Sequence, residues 1–179
     1  MIRQAQYVGL QRMIFAPAGR AWYAVLDGAQ IANVAERLAK LESACLFVEE
    51  LDPVLKEAAP YVVKLDAGSP AADLALREGW NSHWGIILET DASVDLPAIR
   101  SHLRTLLRVR APDGTAAIFR FYDPRAFRTV VPHLDDAQRA AFYGPIHACW
   151  VEGQQPDTAL HFRRAGGADP EALPLPAAS

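Results

Sequence analysis

Ile118-Phe119-Arg120-Phe121-Tyr122-Asp123-Pro124-Arg125 is the stretch on which the fold turns. Its first five residues are β-branched or aromatic, with one arginine among them, and that composition suits a pleated, half-buried strand. Alternation along such a strand predicts Phe119 and Phe121 on one face and Ile118, Arg120 and Tyr122 on the other. Asp123-Pro124 then ends it. Asp is a favoured N-cap and Pro is preorganised for the first helical position, so the pair passes the chain from strand into helix without a loop.

Working outward, the helix after Pro124 carries Phe127, Val130 and Val131 and stops at Pro132. Ala111-Pro112-Asp113-Gly114 is a tight-turn signal leading into the strand. Before it lies the best helix of the chain, Leu96 to Leu107, with Leu96, Ile99, Leu103, Leu106 and Leu107 as its apolar stripe. Asp135 with Gln138 makes a capping box, and Gly144-Pro145 closes that helix. Further strands are predicted at Trp22–Leu26, Ala44–Val48, Tyr61–Leu65, His83–Leu88, His147–Val151 and Ala159–Phe162. Asp27 with Gln30 opens a helix through Ile31, Val34, Ala35 and Leu38, and Asp52-Pro53 opens a short one over Val54–Ala59. Ser69-Pro70 opens another, which Gly79 is placed to end as a left-handed cap.

Residues 1–20 are weakly patterned and end in the turn Pro17-Ala18-Gly19; from Ala165 the composition is that of a flexible tail. Strands alternating with helices predict an α/β protein, a mixed sheet with helices packed on it. The expected organisation is one domain over 1–164 and a tail over 165–179. Pattern alone leaves open two lobes, about 1–92 and 93–164.

The 179 residues suffice for a real core, and usage is ordinary for a globular chain, 51% hydrophobic and 22% charged. A formal net charge of −3 gives no overall pull toward nucleic acid or anionic lipid, so neither is expected as a partner. No apolar run approaches the length of a membrane helix. The first residues hold no contiguous apolar signal core, so a cytoplasmic location is expected. Cys45 and Cys149, two and far apart, read as buried small hydrophobes.

The short mechanistic motifs are missing: no phosphate-binding or dinucleotide glycine loop, no paired-His zinc helix, no Cys-x-x-Cys, no nucleophile elbow. In α/β proteins a ligand usually sits beyond the carboxyl ends of the strands, which here carry Asp27, Asp66, Glu89, Thr90 and Asp123. Asp27 and Asp123 already serve as caps. A small thiol- or metal-dependent hydrolase built on Cys149, His147 and His161 is the enzymatic alternative. His147 and Cys149 share a strand face, and a hairpin could bring His161 opposite. A buried cysteine beside two hydrogen-bonded strand histidines is the plainer account. Arg100, Arg104 and Arg108 recur every fourth residue opposite the leucine stripe, either a basic ridge for an acidic or phosphate-bearing partner or a solvated helix face. A nucleic-acid reading of that ridge would need base-stacking aromatics beside it, and none can be placed there.

Several stretches in order resemble one family: Trp22–Ala29, Ala59–Leu65, Trp84–Leu88, His102–Val109, Phe119–Arg125 and Phe142-Tyr143-Gly144-Pro145. Together they are similar to the type VI secretion adaptor family, catalogued as a domain of unknown function and encoded beside spike proteins. The resemblance runs from about Trp22 to Trp150. It implies a non-enzymatic cytoplasmic chaperone, without cofactor or metal, that holds a toxic secreted effector and helps load it onto the C-terminal region of the VgrG spike. Arg120, Tyr122 and Arg125, with the ridge at Arg100, Arg104 and Arg108, are then the partner-facing candidates, because Arg and Tyr are favoured at interfaces.

Overall fold

Strand register decides which side of this molecule each apolar residue covers. The computed structural model describes residues 1–47, 53–110 and 114–176. Its strands are β1 (Arg20–Asp27), β2 (Ser43–Cys45), β3 (Pro60–Leu65), β4 (Gly85–Asp91), β5 (Arg108–Arg110), β6 (Ala116–Ile118), β7 (Ile146–Glu152), β8 (Thr158–Arg163) and β9 (Glu171–Pro174). Seven form one sheet in the order β2-β3-β1-β4-β7-β8-β9, while β5 and β6 pair only with each other. The α/β class holds, but where a mixed sheet was expected the pairings are antiparallel.

Helices cover both faces. On β1, Ala24 and Leu26 face one apolar cluster and Tyr23 and Val25 the other. The first cluster is closed by α1 (Gln4–Ile14), α2 (Val34–Leu38) and a helix that begins as α4 (Pro70–Ala72) and continues as one π-helical segment (Asp73–Glu78). The second is closed by α5 (Leu96–Leu106), α6 (Pro124–Val130) and α7 (Asp136–Tyr143). A short α3 (Pro53–Ala58) precedes β3. Phe127 sits at the centre of the second layer, edge-on to Phe142 at 5.7 Å and to Phe162 at 4.9 Å. Such aromatic pairs contribute about 0.5–1.5 kcal/mol each beyond their burial.

The strand predicted over Ile118–Tyr122 ends at Ile118. Phe121 and Tyr122 lie in the turn before α6 and are both buried, which consecutive residues of a one-face strand cannot be. The aromatic run reports burial here rather than extended backbone. Asp123 then caps α6 as predicted, accepting from the Arg125 amide at 2.9 Å.

The helix expected after Asp27 is split. Asp27 caps a 3-10 turn, Gly28–Gln30, and α2 starts only after Asn33, whose φ of 55° interrupts the run. Gly79 is no left-handed cap, since its φ is −81° and its amide closes the π turn on the Leu74 carbonyl at 3.0 Å. β4 starts at Gly85 because His83 and Asn81 adopt positive φ ahead of it. Two elements were not expected at all: α1 among the weakly patterned first residues, and β9 inside the stretch taken for a flexible tail. Val48, Asp52 and Ala111–Asp113, on which parts of the second strand, a cap and the tight turn were placed, lie outside the described residues. No helix among the described residues is long and apolar enough to cross a membrane.

Candidate functional site

The antiparallel order divides the strand-end acids between the two ends of the sheet, so they form no single crevice. Asp27 ends β1 beside the start of β4, and Glu152 ends β7 at the same side. Glu89 and Thr90 lie at the opposite end, with Arg20.

At the first end, buried carboxylates are met by basic groups, Asp27 and Glu152 by groups from other segments and Asp123 by one from the helix it caps. Asp27 is 1% exposed; it accepts from the Ala29 amide at 3.2 Å and from the Arg120 guanidinium. Asp123 accepts from the Arg125 amide, Nε and Nη2 at 2.9, 3.0 and 2.8 Å. Burial alone would push the Asp123 carboxyl up, and the Arg125 contacts outweigh it and hold it below the usual value. Glu152 pairs with His83, and Arg128 Nη1 donates to the Glu152 carbonyl at 2.6 Å. Tyr122 lies under this layer, its phenol pushed up to about 12 by burial and then by the Asp27 charge.

At the other end, Arg20 bridges Glu89 at 3.1 Å and Asp91 at 2.6 Å, and His147 Nε2 lies 3.0 Å from Asp91. The His147 contact first, helped by the charges of His147 and Arg20, holds the Asp91 carboxyl low and outweighs the opposing effect of desolvation.

The proposed thiol–imidazole group is not assembled. In the β7–β8 register Cys149 faces Phe162, and His161 faces Trp150, on which it stacks at 4.0 Å. Opposed residues share a face and neighbours alternate, so His161 and Cys149 lie on opposite sides of the sheet. The Cys149 thiol is pushed far up by burial and then by the Glu89 charge, the reverse of what a nucleophile needs. Among the described residues no three His, Cys, Asp or Glu side chains are grouped to hold a metal ion.

The arginine candidates separate as well. Arg100 donates through Nε to the Cys45 carbonyl at 2.7 Å, on the outer side of edge strand β2. Arg104 stays on α5, but the helix ends at Leu106 and Arg108 is the first residue of β5, so the three make no continuous helical ridge. Arg120 and Arg125 reach solvent while holding Asp27 and Asp123. Tyr122 is buried and presents nothing to a partner, because the turn that replaces the predicted strand sends its ring inward.

What the sequence reading missed is the β5–β6 hairpin. Val109 and Ile118 are two of the four exposed large apolar residues among those described. Arg108 is in register with Ile118, and Val109 with Ala117. The signal was present in the opening stretch, which places Ile118 and Arg120 on one face.

Taken together, this is an α/β protein whose strand-end carboxylates are paired with basic groups and which carries two of its four exposed large apolar residues, among those described, on the β5–β6 hairpin. The family model "Domain of unknown function (DUF4123)" matches residues 22–141, and the chain belongs to that family. No curated protein and no solved structure matches it.

Proposed function

We propose that the protein is a non-enzymatic adaptor that binds a toxic effector in the cytoplasm and helps load it onto the VgrG spike of a type VI secretion system. The observation that carries this reading is the family match over residues 22–141, a span that contains each stretch resembling the type VI adaptors except Phe142-Tyr143-Gly144-Pro145. The polar groups support it. Asp27 and Glu152 bind the segments that cover the sheet end and Asp123 fixes the start of α6, a presentation role, while Arg104, Arg108, Val109 and Ile118 remain available to a partner. The test is co-elution on a sizing column of the purified protein with the effector encoded by the neighbouring gene, and with the C-terminal region of the neighbouring spike protein. A complex with either is expected. No complex with any neighbouring effector or with the spike region overturns the reading, as does turnover abolished by Cys149→Ala.

A further inference from the structure

We propose that the outer edge of β6 is a strand-addition site for an extended segment of a partner protein, one in which an aliphatic residue is flanked at alternate positions by carboxylates. The inference rests on the adaptor reading and supplies the chemistry of the segment that the adaptor recognises.

The backbone comes first. The Phe119 amide donates to the Leu107 carbonyl at 2.9 Å, immediately before β5 and after β6. Bonded and non-bonded pairs alternate in an antiparallel ladder, so Val109 and Ala117 are bonded to each other while Arg108 and Ile118 turn their N–H and C=O outward. β6 has no second strand among the described residues, so the outward groups of Ile118, a residue 61% exposed, have no ladder partner there. Natural edges are commonly blunted by proline, charge, a bulge or a covering element. Ala116-Ala117-Ile118 carries none of the first three, and its register with β5 is regular.

The side chains then say what fits. Ile118 is 61% exposed, with exposed Arg108 beside it across the hairpin and Arg120 two residues further along the chain. A strand laid along β6 would cover Ile118 with an aliphatic residue and bring its alternate positions toward those two guanidiniums. Among the described residues Arg108 has no ion pair, whereas Arg120 already holds Asp27 and is 46% exposed, so a carboxylate on the incoming strand meets an unpaired cation at Arg108 and joins an existing pair at Arg120. The other face, Val109 and Ala117, is exposed too. A two-stranded hairpin with neither face covered is marginal by itself, and a third strand is the addition that stabilises it.

The test uses the full chain and a fluorescein-labelled Glu-Val-Glu-Ile-Glu-Val-Glu peptide, read by anisotropy, with Lys in place of Glu as the counterpart. The acidic peptide is expected to bind at least about tenfold tighter than the basic one. Ile118→Pro removes both the outward N–H and the exposed aliphatic side chain that the incoming strand would cover, and leaves the hairpin's own bonds in place. It should weaken acidic-peptide binding about tenfold with an unchanged thermal melt, and Arg108→Glu should invert the charge preference. Equal binding of the two peptides, or wild-type binding by both variants, overturns the proposal. So does a wild-type dimer that Ile118→Pro dissolves in sedimentation, because the edge then holds a second copy. If the protein co-elutes with its effector but these variants change nothing, the edge site fails and the adaptor reading stands. If the peptide binds through Ile118 but no effector or spike complex forms, the edge site stands and the adaptor reading fails.

Discussion

Asp27 and Asp123 are both helix caps and both bound to arginine, yet their surroundings make the two arginines unequal. Asp27 is almost fully buried, and without Arg120 its carboxylate keeps only the Ala29 amide. Arg120→Leu is therefore expected to cost about 2 kcal/mol in urea unfolding, because it strands a buried charge. Arg125 is 55% exposed, and Asp123 keeps its cap bond when Arg125 is truncated, so Arg125→Leu should cost about 0.5 kcal/mol. Equal losses would show that Asp27 is solvated after all. His161 gives a pH dependence with a definite sign. Burial first, then the Arg163 charge, lowers the imidazole from 6.5 to about 4, against a smaller opposing pull from Glu171. Its Nδ1 accepts from Arg163 Nε at 3.3 Å, which suits the neutral ring. Between those two values the unfolded chain binds a proton that the folded chain refuses, so stability is full above about 6.5 and falls as pH drops toward 4. The loss between pH 7 and pH 5 should be about 2 kcal/mol. His161→Phe keeps a ring on Trp150 and removes the proton site, and so should remove that part of the slope. An unchanged slope in the variant would mean that His161 does not titrate in this window.

At the scale of elements, α1 and the segment that follows β9 are joined where an unsubstituted position meets a ring. A Cβ built at Gly9 would lie 2.5 Å from Pro176 Cδ and 2.6 Å from its Cγ. Gly to Ala inside a helix normally stabilises by about 1 kcal/mol. Here Gly9→Ala should be neutral or destabilising by thermal melt, and the usual gain should return when Pro176→Gly removes the ring. A gain of about 1 kcal/mol in both backgrounds would mean that Pro176 does not seat there. α1 and β9 mark the limit of what the sequence discloses. Caps were legible because one side chain and one amide make them: Asp27, Ser69, Asp123 and Asp135 each accept from a backbone N–H. Central strands were legible because their apolar runs are buried on both faces. β9 gave no signal, since its ladder to β8 is backbone and Glu171, Ala172 and Pro174 are exposed. α1 buries only Tyr7, Leu10 and Ile14 among glutamines and small residues, too thin a stripe to stand out. The candidate site was legible in part. Arg108 and Arg120 were visible as cations, but the end of the strand at Ile118, which makes the hairpin edge, depends on tertiary packing of Phe121 and Tyr122.

For the whole molecule, the open choice between one lobe and two turns on the pairing of β4 with β7. That pairing joins the chain before residue 92 to the chain after residue 93 along one continuous sheet, with Leu88 in register with Cys149. Both apolar clusters draw residues from both parts: Leu26 and Trp150 in one, Tyr23 and Phe162 in the other. Neither part can separate without opening both layers, so urea should produce a single transition. Cys149 offers a probe inside that junction. Its thiol is fully buried and burial pushes it far up, so a disulfide reagent should reach it only through global opening, whereas half-buried Cys45 should react through local fluctuation. In a Cys45→Ala background the labelling of Cys149 should follow tryptophan fluorescence across the urea transition, with one midpoint for both. Labelling of Cys149 at urea concentrations where fluorescence is still native would mean that the β4–β7 junction opens first and that the two parts behave as separate lobes.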